Sequence, residues 1–245
     1  MIEFTNVSKT YTKQIGSVSH AALSNISFSM KNGETLGLIG ANGAGKSTSI
    51  RLLMDFIRPD TGKIRISGQP PTSPTTRNQI GYLPEVAGFP TNLTILDMLK
   101  FTGIACGMKS AEYKERGRDL LETLKLWEAR KKPLISYSKG MQQRASFSVA
   151  LLNNPELLIL DEPMSGLDPL GRNTITSLIL DLKKRGKTIL FCSHILEDVD
   201  RLVDNILVLH LGKRLFYGPP ANLIDSTQKA NLPDAYLSLV TEGTS

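Results

Sequence analysis

A glycine-rich segment near the start of the chain has the residue types and spacing of a phosphate site. It reads GANGAGKST over residues 40–48, between an apolar run at 35–39 and a helix-forming run at 50–54. Glycines at these positions let backbone N–H groups turn toward an anion, and the N-terminus of the following helix adds partial positive charge. A glycine turn that only caps a helix is the alternative, but it gives no packing reason for the Lys-Ser-Thr that follows. The segment therefore predicts a phosphate-binding loop.

Two side chains of this loop have expected roles. Lys46 reaches the outer phosphates and the Ser47 hydroxyl binds Mg²⁺, as is typical of such loops. The residues expected to contact the nucleotide are Gly40, Asn42, Gly43, Ala44, Gly45, Lys46, Ser47 and Thr48.

Two adjacent carboxylates form a second chemical feature. The apolar run Leu-Leu-Ile-Leu at 157–160 leads directly into Asp161 and Glu162. A phosphate-binding loop needs an acidic group near its magnesium ion, and Asp161 at a strand end is placed to hold that ion directly or through water. Glu162, one residue further, is placed to act as a general base toward water. Two acids that merely cap a strand are the alternative, which the phosphate loop in the same chain disfavours.

The elements that position these residues follow from the hydrophobic pattern. Short apolar runs separated by turn residues predict strands, and the later ones are continuous enough for a buried parallel sheet. The first two strands are expected to pair antiparallel across a polar connection at 11–20. Predicted strands cover residues 2–7, 23–30, 35–39, 63–67, 80–83, 157–160, 188–192 and 206–209.

Between the two groups of strands the pattern becomes helical. Leucines recur at helical spacing within residues 93–153, and Thr94 with Asp97 resembles a capping box. Ser138 is placed to cap a further helix. Prolines at 70, 71 and 74 predict a stiff surface loop. These features predict an α/β fold with a mostly helical insertion.

Composition restricts the classes of protein. The chain has 245 residues, 40% of them hydrophobic, and a formal net charge of +6. Cys106 and Cys192 show no paired-motif spacing, which favours two buried apolar thiols in a reducing compartment. No apolar run reaches the roughly 18 residues that a membrane span needs, so we expect a soluble chain. The basic charge permits nucleic acid, an anionic ligand or an anionic membrane surface as partner and does not choose among them. Its basic clusters are expected to be solvated helix ends or loops.

Taken in order, these motifs resemble the nucleotide-binding subunit of ATP-binding cassette (ABC) transporters over nearly the whole chain. The resemblance implies that Tyr11 stacks on adenine and that Ser138 and Gly140, in the signature loop, contact the ATP held by an opposite subunit. Residues 165–168 match the loop that links the two sites across a dimer, and His194 matches the switch histidine that senses the terminal phosphate. The implied cofactors are ATP and Mg²⁺, and the implied activity is ATP hydrolysis.

Two motifs depart from the family pattern. Glu85 stands where the family usually has a glutamine that touches magnesium and relays nucleotide state to the membrane partner. As a hard oxygen ligand it adds negative charge near the metal, so it either binds the metal more strongly or needs a neighbouring cation or proton to avoid repulsion. Glu85 is therefore a candidate metal ligand and catalytic residue. In the signature loop, Tyr137, Lys139 and Met141 replace the leucine, a glycine and the glutamine of the common form; Lys139 either points toward ATP or faces solvent. These departures resemble the type-two exporter group of bacteria and archaea.

The resemblance also implies a domain plan and partners. We expect a single ABC ATPase domain (1–245), in which 1–85 and 154–220 form the P-loop core with its antiparallel β subdomain, 86–153 a helical signature subdomain and 221–245 a tail. The expected partners are a second cassette, in a homodimer, and a separately encoded membrane permease at the cytoplasmic face of the inner membrane. Apolar residues within 86–89 and 99–108 are candidates for the permease contact, with ordinary core packing as the alternative. The tail is expected to pack through Leu223, Ile224, Leu237 and Leu239.

Two other functions compete with this one. A soluble ABC ATPase acting on ribosomes or DNA would suit the basic charge, but one cassette and a short insertion disfavour it, so nucleic acid is not the expected partner. A non-catalytic nucleotide sensor is disfavoured because Lys46, Asp161, Glu162 and His194 are all present.

Overall fold

The computed structural model describes residues 1–11, 19–90 and 92–242. The predicted connection after Tyr11 lies mostly outside the described residues. The strands are β1 (Ile2–Tyr11), β2 (His20–Met30), β3 (Thr35–Ile39), β4 (Thr61–Ile66), β5 (Ile80–Leu83), β6 (Leu157–Asp161), β7 (Thr188–Cys192), β8 (Asn205–His210) and β9 (Lys213–Gly218). The helices are α1 (Lys46–Leu53), α2 (Pro74–Arg77), α3 (Ile95–Ala105), α4 (Ser110–Thr123), α5 (Lys139–Leu151), α6 (Pro169–Lys184), α7 (Leu196–Leu202), α8 (Pro220–Thr227) and α9 (Leu232–Glu242).

The central sheet has the strand order β5-β6-β7-β3-β8-β9. Its first five strands run parallel and only β9 runs antiparallel. Every residue of β3, β6 and β7 is buried, as expected for strands covered on both faces. This confirms the α/β class with a parallel core sheet.

A second sheet is antiparallel and has the order β2-β1-β4. The pairing of β1 with β2 is antiparallel, as predicted, but both strands are longer than the apolar runs indicated. Tyr11 and His20, expected in the connection, pair at the end of this ladder instead. The reason is that alternating polar positions on an exposed sheet face do not interrupt a strand.

The helical insertion contains α3, α4 and α5, which pack on one another and reach β5 through α5. The predicted capping box is present: the Thr94 hydroxyl accepts from the Asp97 amide, and the Asp97 carboxylate accepts from the Thr94 amide at 2.9 Å. Ser138 caps α5 by accepting from the Met141 amide at 3.3 Å.

Buried side chains form two clusters, one on each side of the central sheet. One joins the sheet to the helical insertion and to α6, α7, α8 and α9. The other joins it to α1 and the antiparallel sheet. In the described part of the chain, no helix is both long and apolar enough to cross a membrane.

Some expectations were wrong. Pro74 opens helix α2 rather than extending a loop, since proline fits the first helical position. Leu237 is 59% exposed, whereas Leu223 is buried as predicted. Cys106 is only partly buried. Arg130 belongs to the basic cluster at 130–132, one of those expected to be solvated, but its guanidinium stacks 4.0 Å from the centroid of the Trp127 ring.

Candidate functional site

The register of the parallel strands brings the predicted site residues to one edge of the sheet. Asp161 pairs with Cys192, and Cys192 pairs with Leu38, so the ends of β6, β7 and β3 lie level. Ligands of open α/β sheets bind outside the carboxyl ends of the strands. The residues that follow these ends and that of β5 are Gly40, Glu85, Glu162 and His194.

The glycines of the phosphate-binding loop are required by close approach. A Cβ atom at Gly40 would collide with the carbonyl oxygen of Leu209, and one at Gly45 would lie 2.6 Å from a methyl of Leu23. Gly43 has open space but a φ of +80°, which favours glycine. The loop therefore packs closely against β8 and β2 at Gly40 and Gly45, and it is exposed at Gly43.

Lys46 is held inside this loop. Its ammonium donates to the carbonyl oxygens of Gly40 at 2.6 Å and Ala41 at 3.2 Å, and the residue is only 8% exposed. Asn42 and Ser47 are exposed, whereas Ala44 and Thr48 are buried. The exposed hydroxyl of Ser47 is thus available to a ligand at the start of α1.

Asp161 sits in an electrostatically costly position. Burial raises the pKa of its carboxyl, and the nearby charges of Glu85 and Glu162 raise it further, while a hydrogen bond from the Cys192 thiol and the charge of Lys46 oppose this. Glu85 is itself exposed, so its charge acts on Asp161 from the solvent-facing side of the site. This carboxylate cluster favours a bound cation.

Glu162 and His194 contact each other. The Nδ1 atom of His194 lies 2.8 Å from Oε2 of Glu162, and the His194 amide donates to the same oxygen at 3.4 Å. The Glu162 side chain is 10% exposed and that of His194 60% exposed. Glu162 has a φ of +48°, which is rare for a residue with a side chain and is typical of functional sites.

The signature residues line a separate cavity of about 370 Å³. Its lining includes Ser138, Lys139, Gly140 and Gly166, and none of residues 40–48. Lys139 is exposed, and its side chain lies over Gly166, which leaves room because it has no Cβ. Among the described residues, therefore, this cavity is not shared with the phosphate-binding loop.

Tyr11 lies at the end of β1 and is half-buried. Its hydroxyl is buried and has no hydrogen-bond partner among the described residues. The ring therefore lies at the end of β1, and its hydroxyl makes no hydrogen bond with the described residues.

Sequence reasoning missed two contributors to the site. Gln143 is buried on α5 and donates to the carbonyl of Pro163 at 2.9 Å, which ties the signature helix to the segment after Glu162. Cys192 was assigned as an apolar thiol but hydrogen-bonds Asp161, and burial raises the pKa of the thiol. The register of β6 against β7 places Cys192 beside Asp161. The local sequence pattern does not reveal that register.

The donor set suits Mg²⁺. Ser47, Asp161 and Glu85 offer hard oxygen ligands, as this ion prefers. The described residues hold no group of three or more His, Cys, Asp or Glu side chains able to bind a metal alone.

The parallel sheet, the glycine-rich loop and the acidic pair together define a P-loop nucleotide-binding protein. The sequence profile of the ABC transporter family matches residues 23–165. The chain belongs to this family.

Relatives and solved structures point to the same family. An uncharacterised ABC transporter ATP-binding protein of Synechocystis is 41% identical over 84% of this chain and 59% of its own length. The Nod factor export ATP-binding protein I of Sinorhizobium fredii is 36% identical over 96% of this chain and 67% of its own. This chain thus spans about three fifths to two thirds of their lengths.

A solved ATP-binding subunit of an ABC transporter aligns with a TM-score of 0.88, at 32% identity, over 97% of this chain and 98% of its own. A dimeric ATP-binding cassette solved in a post-hydrolysis state with ADP and Pi aligns with a TM-score of 0.81, at 26% identity, over 89% of this chain and 98% of its own.

Proposed function

We propose that this chain binds and hydrolyses ATP as the nucleotide-binding subunit of an ABC transporter. The observation that carries the proposal is the grouping of Lys46, Asp161 and the Glu162–His194 pair at one sheet edge. Phosphoryl transfer relies on positioning and charge neutralisation, which this grouping supplies.

Each residue of the site is proposed to have its own role. Backbone amides of residues 42–48 and Lys46 hold the phosphates, and Tyr11 stacks on the base. Glu162 takes a proton from the attacking water, and its contact with His194 orients its carboxylate. Ser47, Asp161 and Glu85 are proposed to hold Mg²⁺, which would neutralise charge on the phosphates when bound.

A second copy is proposed to complete the site. Ser138 and Gly140 line a cavity apart from the phosphate-binding loop. In a head-to-tail dimer they would meet the ATP of the opposite subunit. ATP would then favour closure and hydrolysis would permit opening. The dimeric solved relative supports this arrangement.

We further propose that a separate membrane permease receives this motion, at the cytoplasmic face of the inner membrane of a prokaryote. Val86 is 76% exposed, Phe101 69% and Ile104 62%, and all three lie just after β5 or on α3. Leu99, by contrast, is core. The Nod factor relative is named for export, which supports the type-two exporter group.

The test compares the purified wild type with Glu162→Gln. Loss of the general base should lower Mg²⁺-dependent ATP hydrolysis at least about 100-fold. Size-exclusion chromatography should then show an ATP-dependent dimer of the variant, because ATP binds but is not consumed.

Glu112→Gln, an exposed change on α4, is the matched control and should hydrolyse ATP at the wild-type rate. Wild-type turnover by Glu162→Gln would contradict the assigned base. Absence of both hydrolysis and ATP-dependent dimer in every variant would contradict the function.

A further inference from the structure

Helices α6 and α7 both begin shortly after residues of the proposed catalytic site. Asp168, the N-cap of α6, follows Glu162 by six residues. Between them, the Ser165 amide donates to the Glu162 carbonyl at 3.0 Å. Helix α7 begins at Leu196, two residues after His194. The starts of both helices are therefore connected to the Glu162–His194 pair by short stretches of chain.

An ion pair joins the N-terminal turns of the two helices. Nη2 of Arg172, the fourth residue of α6, donates to Oδ2 of Asp198, the third residue of α7, at 2.6 Å. The Asp198 side chain is 19% exposed and that of Arg172 36%. Fully exposed ion pairs add little because water and salt screen them, but screening is weaker for a pair as short and as shielded as this one.

The position of Arg172 is unfavourable within its own helix. The N-terminal end of a helix carries partial positive charge, so a cation there is repelled and an anion there is stabilised. Arg172 lies near that end of α6, whose first turn contains no acidic residue. Asp198 lies in the first turn of α7, where the helix dipole favours its charge. The partner on α7, rather than the helix that carries Arg172, therefore explains the cation at this place.

Two contacts thus link the segment that runs from Glu162 to Arg172 with the one that runs from His194 to Asp198. The His194 ring lies 2.8 Å from the Glu162 carboxylate at one end, and the ion pair lies at the other. Within the described residues, the hydrogen bonds of His194 go to Glu162 alone. Ile195, the N-cap of α7, makes no side-chain hydrogen bond. The direction in which α7 leaves His194 is therefore set in part by its neighbour α6.

We propose that Arg172 is a positioning residue for ATP hydrolysis. By holding Asp198 it fixes the start of α7 against the start of α6. This keeps the His194 ring in contact with the Glu162 carboxylate, the group proposed to accept the proton of the attacking water. The inference rests on the proposed function, since it assigns Arg172 to the same reaction.

Arg172→Met keeps the length of the side chain and removes its charge. It should lower kcat and kcat/KM for ATP equally, at least about five-fold, because misplaced reacting groups slow the chemical step without weakening substrate binding. The Kd for the fluorescent analogue mant-ATP should therefore equal that of the wild type. Arg172→Lys should keep most of the rate, since a single nitrogen makes the contact.

Asp198→Ala removes the same contact from the other helix. It should reproduce the loss of kcat, and the double variant Arg172→Met/Asp198→Ala should lose no more than either single one, because both changes act through one contact. Additive losses, or a raised Kd for mant-ATP with unchanged kcat, would overturn the inference.

Lys183→Met is the matched control, because Lys183 joins the same two helices at their other ends. Its ammonium donates to the Leu202 carbonyl at 3.0 Å and pairs with Asp204 at 2.7 Å. This control should hydrolyse ATP at the wild-type rate. An equal loss in Lys183→Met would assign Arg172 to general packing of α7 on α6 and overturn its positioning role, as would wild-type turnover in Arg172→Met.

A measurement without nucleotide separates this inference from the proposed function. The chain has three histidines, so the ¹³Cε1 NMR resonance of His194 can be assigned by its loss in His194→Gln. That resonance should shift in Arg172→Met and not in Lys183→Met. An unmoved resonance would overturn the inference. Failure of the wild type to hydrolyse ATP, with the resonance shifted as expected, would overturn the proposed hydrolysis alone.

Discussion

At the residue scale, two neighbouring carboxylates have different environments. Asp161 is raised in pKa by burial and by like charges, whereas Glu162 shares a short contact with His194. The sequence predicted both acids but not their different environments, because these depend on the pairing of β6 with β7. A metal ligand and a general base, the roles proposed for Asp161 and Glu162, need different surroundings.

Glu85→Gln tests the atypical carboxylate. Removing its charge should make Mg²⁺ bind more weakly, so half-maximal ATP hydrolysis should need a several-fold higher Mg²⁺ concentration. Initial rates across a Mg²⁺ titration measure this. Glu85→Asp keeps the charge and serves as the comparison. Identical Mg²⁺ dependence and turnover in Glu85→Gln and wild type would show that Glu85 lies outside the metal site.

At the scale of elements, local pattern predicted much of the fold. The bounds of β3 and β7 match the apolar runs at 35–39 and 188–192, and the capping box before α3 was readable from Thr94 and Asp97. Strand β9 was missed because its sequence, KRLFYG, lies at the sheet edge and lacks a continuous apolar run.

The cap of α3 should be measurable as stability. Thr94→Ala removes the acceptor for the Asp97 amide and should lower the free energy of unfolding by about 1 kcal/mol. Urea denaturation checks the value. Thr123→Ala, at the exposed end of α4, should change it by less than about 0.5 kcal/mol. Equal effects of both changes would mean that the box adds no stability.

At the scale of the whole molecule, most of the proposed nucleotide site and most of the exposed apolar side chains lie on different elements. Glu162 follows the end of β6, whereas Phe101 and Ile104 lie on α3. Val86 directly follows Glu85 after β5, so the two sets meet there. Substitutions on α3 are therefore expected to affect the proposed permease contact without altering the proposed nucleotide site.

Phe101→Ser should therefore leave the ATP hydrolysis of the purified chain unchanged and lower its recovery with the membrane permease at least about three-fold. In the proposed complex the Phe101 ring is buried against the permease, and the substitution removes this aromatic contact. Pull-down of the co-expressed complex measures it. Leu211→Ser, in the exposed turn between β8 and β9, is the control. Undiminished recovery of Phe101→Ser would place the permease contact elsewhere.

The central position of β3 also bears on how the chain folds. Thr35 pairs with Ile189 and Leu36 with Asn205, so both neighbours of β3 are synthesised about 150 residues after it. Contacts of such high sequence separation form slowly, and translation proceeds at roughly 5–20 residues per second. Gly40 lies against Leu209 of β8, so the phosphate-binding loop reaches its packed position only after β8 has been synthesised.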